Sequence, residues 1–419
     1  MKIIQAEILT IGDEILYGQI TDTNSQWISE QLTSIGIKVI RKTSVGDEGS
    51  EMVKAIQEAE IRADLIIITG GLGPTSDDLT KPVLTQYFNT RLVLHEEALN
   101  DLTAFFERRG RELTEINRQQ AYLPASCEII RNFYGTAPGM WFERNGKVLI
   151  SMPGVPYEMK AMITEQLIPK IRSFFNPPVI IHKMIRTSGI GESFLAEKIK
   201  SWEDGLPSFI KLAYLPSLEG VRLRLTAITD KEKETETDNV LEKEKEKLRE
   251  IIEDYIYGYG EENHEQALGK LLMKHKLTVG AAESCTGGLI SATITSVPGS
   301  SEYFKGGIVS YDNEVKINVL GVKKETLAEH GAVSEATVLQ MVEGVQKILK
   351  TDIAVATTGI AGPGGGSAEK PVGTIWIAVR MKNKTQTKKL QLGNIRENNM
   401  KMTTYAVFNL IRETLREKN

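Results

Sequence analysis

The sequence predicts an α/β protein in three segments, and three observations carry that expectation. Residues 1–172 alternate strand and helix patterns around a continuous apolar run, Leu65-Ile66-Ile67-Ile68-Thr69. Such a run suits the doubly buried centre of a parallel sheet. A charge-dense stretch then intervenes, with 17 charged residues among the 25 from Asp230 to Asp254, marking a small α+β segment over 178–256. Residues 264–419 return to strand–helix alternation, with glycine-rich loops after the strands. The length of 419 residues agrees, because at roughly 100–200 residues per domain it calls for two to four domains.

The elements follow in order. Ile3 to Ile11 is β-rich, and Trp27, Ile28, Leu32 and Ile35 recur at helical spacing behind the capping residues Asp22, Thr23 and Asn24. Val39 to Thr43 is a second strand, Met52, Val53 and Ile56 mark a helix, and Leu65–Thr69 completes β-α-β-α-β, a doubly wound domain. In the middle segment a strand from Val179 to Arg186 precedes a helix from Phe194 to Trp202 and strands at Lys211–Leu215 and Val221–Ile228. The charged helix keeps one apolar stripe, Leu241, Leu248, Ile252 and Tyr255, which suits a solvated helix over a small sheet or, alternatively, a coiled-coil contact. Gly258 to Asn263 reads as a linker. The last segment predicts strands at Leu277–Ala282, Gly307–Tyr311, Ile353–Thr358, Thr374–Met381 and Thr387–Leu392, with helices at Leu289–Ser296, Ser334–Lys350 and Asn398–Arg416.

Composition narrows the function classes. The net charge of −4 argues against a dedicated nucleic-acid binder. Two cysteines, Cys127 and Cys285, cannot build a disulfide framework or a four-cysteine zinc site, and the five histidines form no HxH or HxxxH pair. The acidic N-terminus does not read as a signal peptide, and no run of 18 apolar residues occurs, so a cytoplasmic, non-membrane protein is expected.

In open α/β sheets ligands bind beyond the carboxyl ends of the strands. Three loops of the first segment lie there: Gly12 to Ser25, Thr69 to Asp78, and Met152 to Met159. Gly70, Gly71 and Gly73 let backbone N–H groups approach a phosphate closely, although the same glycines would serve a tight turn. Gly12, Glu14, Asp22, Asn24, Pro153 and Gly154 complete the candidate ligand residues, with Asp13 and Glu14 equally readable as helix N-terminal charges. Asp77 and Asp78 stand where a magnesium-like divalent ion bridging phosphates would need carboxylates.

The last segment holds Glu283-Ser284-Cys285-Thr286-Gly287-Gly288 at a strand-to-helix turn. Ser284 or Cys285 can act there as a nucleophile, or Ser284 can simply cap the helix. N–H groups of Thr286, Gly287 and Gly288 can hold an oxyanion. With no histidine nearby, Lys316 is the candidate base if desolvation lowers its pKa, and Tyr311 and Asn313 share its loop. Thr358, Gly359, Gly362 and Gly364 lie in a glycine-rich run suited to an anion.

Long motifs now converge. GDEILYGQITDTNS (12–25), TGGLGPTSDDLTKP (69–82), MPGVPYEM (152–159), AAESCTGGLISATITSVPGSSEYFKGGIVSYDNEVK (281–316), HGAVSE (330–335) and TGIAGPGGGSAEKPVGTIWIA (358–378) together resemble the CinA family. The resemblance implies a first domain of the MoaB/MogA molybdopterin-binding type, associated with a metal-dependent ADP-ribose pyrophosphatase activity. It implies a middle KH-type fold, here without a GxxG loop, and a C-terminal nicotinamide mononucleotide (NMN) deamidase. The family's serine and lysine fall on Ser284 and Lys316, and no cofactor is implied for the amidase. A homodimer is implied, with NMN and ADP-ribose as substrates. Where relatives carry GDRxxxR, this chain reads Gly393-Asn394-Ile395-Arg396, which leaves Arg396 to meet the phosphate.

Overall fold

A computed structural model describes residues 3–75 and 77–416. Ser76, within the glycine-rich loop, lies outside the described residues. The chain separates into two compact units, one of residues up to Ile181 with Ile228–Thr237, the other His182–Ala227 with Asp238 onward.

The first unit carries β1 (Gln5–Ile11), β2 (Lys38–Val45), β3 (Leu65–Thr69), β4 (Leu92–Leu94), β5 (Tyr122–Pro124), β6 (Glu128–Ile130), β7 (Gly139–Arg144) and β8 (Lys147–Met152). Its main sheet runs β2-β1-β3-β8-β7-β6, while β4 and β5 pair separately. The strands β2, β1, β3 and β8 are parallel, and β7 and β6 join antiparallel. β3 is buried on both faces: Ile66 and Ile68 enter one apolar cluster, Leu65 and Ile67 the other. That explains a run without alternation. The carboxyl ends of β1, β3 and β8 therefore lie side by side.

In the second unit β9 (Val179–Thr187, its first residues in the other unit), β10 (Ile210–Ser217), β11 (Gly220–Thr229) and β12 (Ile256–Tyr259) form a sheet of order β10-β11-β9-β12. Leu241, Leu248 and Ile252 of the charged helix are fully buried, so its apolar stripe is a packing face. The expected linker at 258–263 is corrected. Gly258 and Tyr259 pair antiparallel with β9, and the strand forms because Ile256 and Tyr257 carry enough apolar surface to be buried.

The remaining sheet comprises β13 (Val279–Glu283), β14 (Phe304–Val309), β15 (Ile353–Gly359), β16 (Thr374–Met381) and β17 (Lys384–Gln391), in the order β14-β13-β15-β16-β17. β13 is parallel to both β14 and β15, and β16 and β17 add antiparallel. Val279, Ala281, Ile353 and Val355 pack with Phe408 and Ile411 of the last helix, Arg396–Arg416. Ala282, Ala354 and Ala356 face Val338, Met341 and Val345 of the helix Glu335–Leu349. The small residues on that face let the helix lie close. No helix among the described residues is long and apolar enough to cross a membrane.

Candidate functional sites

The three loops of the first unit are stitched together at the strand ends. Gly70 N–H donates to Met152 O at 3.0 Å, the Thr69 hydroxyl to Pro153 O at 3.1 Å, and Asn24 Nδ2 to Gly154 O at 2.7 Å. Gly70 has φ +111°, and a Cβ there would stand 2.2 Å from Ile11 O, so only glycine permits this crossing. Asn24 Oδ1 is buried without a partner among the described residues, an unused acceptor on the side chain that binds Gly154.

Other expectations change. Both oxygens of Asp22 are engaged, by Ser25 N–H and the Thr10 hydroxyl, each at 2.9 Å, so Asp22 caps the helix Thr23–Ser34. The Glu14 carboxylate folds over Gly12, 2.6 Å from where a Cβ would stand. Asp78 accepts Thr75 N–H at 3.0 Å and the Thr75 hydroxyl, closing its own turn over Gly73. The Thr75 side chain beside it, with its own backbone N–H, keeps the exposed Asp77 carboxyl below its ordinary pKa. Asp78 is thereby committed to its own turn, while the Asp77 carboxylate stays exposed and ionised. Among the described residues no group of three or more His, Cys, Asp or Glu side chains is placed to hold a metal ion.

Two residues escaped the sequence reading. Asp47 exchanges backbone-to-carboxylate hydrogen bonds with Asp13 at 3.0 and 3.3 Å. Burial, then the fields of Asp13, Glu14 and Asp77, push its pKa up. Lys81 donates to Gln119 O at 3.1 Å, and burial pushes its pKa down to about 8 against the pull of Asp78. Its signal was its place in TGGLGPTSDDLTKP. A groove of about 610 Å³ along β2, lined in part by Arg41, Lys42, Lys54 and Arg62, touches none of Gly12, Gly70, Gly71, Gly73 and Gly154.

The second unit gathers its candidates into one cleft of about 220 Å³. Ser284, Tyr311, Asn313, Lys316, Thr358, Gly359 and Arg396 line it, joined by Cys285, Ala332, Val333 and Ala361. Ser284 follows β13 directly and is 8% exposed. Its N–H donates to Thr357 O at 3.0 Å, and its hydroxyl has no hydrogen-bond partner among the described residues. Lys316 is 1% exposed. Its Nζ donates to Ser310 O at 2.8 Å and Tyr311 O at 3.2 Å, neither of them a charged partner. Burial lowers its pKa, against the smaller opposing fields of Asp312 and Cys285. Burial pushes the Cys285 thiol up to about 12, so at neutral pH it is protonated and inert.

The oxyanion donors are corrected. Gly287 N–H is bonded to Ser284 O at 3.1 Å and Gly288 N–H to the Glu283 carboxylate at 3.0 Å. The buried Thr286 hydroxyl is paired with that of Thr357. The N–H groups of Cys285 and Thr286 have no backbone partner among the described residues and remain the candidates at this turn. Tyr311 meets Lys316 through its carbonyl, while its phenol oxygen accepts from Arg396 at 2.8 Å. Arg396 also donates to Gly362 O at 3.1 Å. Gly364 is exposed, with open space around it, and does not line the cleft.

Comparison with known proteins covers the same ground. Family models described as a probable molybdopterin binding domain, a damage-inducible protein CinA KH domain and a CinA C-terminal domain match residues 7–173, 182–258 and 261–415. A CinA-like protein of Cytophaga hutchinsonii is 49% identical, covering 99% of each chain. One of Flavobacterium psychrophilum is 48% identical over 94% of each. The crystal structure of competence/damage inducible protein CihA from Agrobacterium tumefaciens is 37% identical, with TM-score 0.35, covering 36% of this chain and 96% of that one. The fold is thus an α/β domain of the molybdopterin-binding type, a KH-type α+β domain and an α/β C-terminal domain, and the chain belongs to the CinA family.

Proposed function

We propose that the C-terminal cleft hydrolyses the carboxamide of NMN to nicotinate mononucleotide and ammonia. The observation that carries this reading is the presence in one cleft of the unpartnered hydroxyl of the largely buried Ser284 and a buried Lys316 whose pKa burial lowers. Ser284 Oγ attacks the carboxamide carbon as its proton passes to neutral Lys316. The lysine returns that proton to the departing nitrogen, which leaves as ammonia. Water then attacks the acyl ester, Lys316 accepts its proton, and Ser284 is restored with release of the acid. Ser310 O and Tyr311 O fix the Lys316 ammonium at the end of β14. N–H groups of Cys285 and Thr286 are the donors to the oxyanion. Measuring ammonia release from NMN by the intact chain tests the assignment, and no turnover would remove it.

For the first unit we infer a site for an anionic nucleotide or pterin, supported by the stitched glycine loops and the unpartnered Asn24 Oδ1. Incubation of the intact chain with ADP-ribose, with and without a divalent metal, separates two readings. AMP and ribose 5-phosphate mean a pyrophosphatase, and their absence means a binding module.

A further inference from the structure

A short turn of the first unit, Gln119–Ala121, carries a side chain that the fold leaves unpaired. Gln120 is 3% exposed, yet its Oε1 and Nε2 both lack a hydrogen-bond partner among the described residues. Buried side-chain amides are ordinarily paired. Leaving donor and acceptor both unmet costs free energy that an apolar side chain of the same shape would not. The turn itself is tied down. Lys81 Nζ donates to Gln119 O at 3.1 Å, and Ala121 O accepts His95 N–H at 2.9 Å. Bonds on both flanking residues thus fix the backbone that carries the unpaired amide.

A second observation lies on the other side of the turn. Lys81 is the second residue of the helix Thr80–Tyr87, which starts against the glycine loop after β3. Thr80 N–H donates to Gly71 O at 3.1 Å, and its hydroxyl to Gly70 O at 3.0 Å. The half-buried Lys81 ammonium forms no ion pair with a carboxylate among the described residues, and Asp78 reaches it only through its field. Of its three N–H donors it commits one, to Gln119 O. A half-buried cation without a paired counterion favours an anion brought from outside the chain.

We propose that Lys81 and Gln120 form the phosphosugar side of the first unit's ligand site. The ammonium meets a phosphate oxygen. The Gln120 carboxamide meets the adjoining sugar hydroxyl, which, like the amide, both donates and accepts. This rests on the anionic-ligand reading of the first unit, and it favours a sugar nucleotide over a pterin.

Calorimetric titration of the full chain with ADP-ribose and, separately, with inorganic pyrophosphate tests this, because pyrophosphate brings the charge without the sugar. Gln120→Met keeps the shape and removes both hydrogen-bonding groups. It should weaken ADP-ribose about tenfold, the scale of two neutral hydrogen bonds, and leave pyrophosphate within about twofold. Lys81→Met should weaken both probes about tenfold, as for one hydrogen bond to a charged group. A measurement on the isotopically labelled wild-type chain needs no variant to fold. There the Gln120 side-chain amide resonances should shift with ADP-ribose and stay in place with pyrophosphate. Unchanged ADP-ribose affinity in Gln120→Met, or an equal loss for both probes, overturns the sugar contact. Unchanged affinities in Lys81→Met overturn the phosphate contact. A wild-type chain that binds ADP-ribose with an unmoved Gln120 amide keeps the anionic-ligand reading and loses the proposal, whereas one that binds neither probe loses both.

Discussion

The fully buried carboxylate of Glu283 accepts the backbone N–H of Ser291 at 2.8 Å. It also takes the N–H groups of Gly288 and Ile290 at 3.0 Å and the Ser291 hydroxyl at 2.6 Å. One anion thereby caps the helix Leu289–Thr295 and fixes the turn that presents Ser284. Its main-chain oxygen accepts Ser310 N–H at 2.7 Å, which sets the carbonyl that holds Lys316. Glu283→Ala strands these donors and should cost about 3 kcal/mol of unfolding free energy, since hydrogen bonds to charged groups are worth roughly 1.5–3 kcal/mol each. Urea denaturation checks this, and a loss below about 1 kcal/mol would count against the capping role.

Lys316 predicts a pH dependence. Burial lowers its pKa, so the neutral, basic form is populated at lower pH than for an ordinary lysine. The rising limb of kcat/KM against pH should therefore lie below the usual lysine value of about 10.4. Lys316→Met should remove that limb and lower kcat at least about a hundredfold, the usual reach of general base catalysis. Near-native rates in that variant would assign the base elsewhere.

The Tyr311–Arg396 bond predicts a division between binding and chemistry. Tyr311→Phe deletes the phenol acceptor and frees Arg396, so KM for NMN should change by about threefold or less while kcat holds, since Tyr311 is exposed and solvent screens its bond from the charged guanidinium to about 1 kcal/mol or less. Arg396→Gln removes the countercharge and should raise KM at least about tenfold, as for a hydrogen bond between charged groups. Steady-state kinetics of the pair checks it. A large kcat loss in Tyr311→Phe would place the phenol in the chemistry.

How far the sequence reached depends on the length over which each contact is set. Leu65–Thr69 was legible because a doubly buried strand writes itself as an unbroken apolar run. Ser284, Tyr311 and Lys316 were legible as strand-end residues, because parallel sheets put their ligand loops on one edge. The three-residue strands Leu92–Leu94 and Tyr122–Pro124 are too short to display a period. Gly287 and Gly288 looked like free donors, because nothing local reveals that Glu283 folds forward to claim one of them. Ala332 and Val333 come to the cleft through Thr358, 26 residues away in the chain, which no local pattern records.

Lys81 predicts the sign of a stability change. Its pKa falls to about 8 in the folded chain, against about 10.4 unfolded. Between those values the unfolded chain binds more protons, so the folded state gains stability as pH rises through that window. At lower pH the chain carries the cost of a half-buried ammonium. Lys81→Met lacks the effect, and wild type should therefore gain on the variant between about pH 8 and 10 in denaturant melts. Parallel pH profiles would contradict it.

The central claim is that Ser284 is the nucleophile of a carboxamide hydrolase. Ammonia release from NMN by Ser284→Ala, beside Cys285→Ala and wild type, tests it most directly. The account predicts a loss of at least about a thousandfold for Ser284→Ala, with an unchanged melting profile, and substantial activity in Cys285→Ala. Full activity in Ser284→Ala would contradict it.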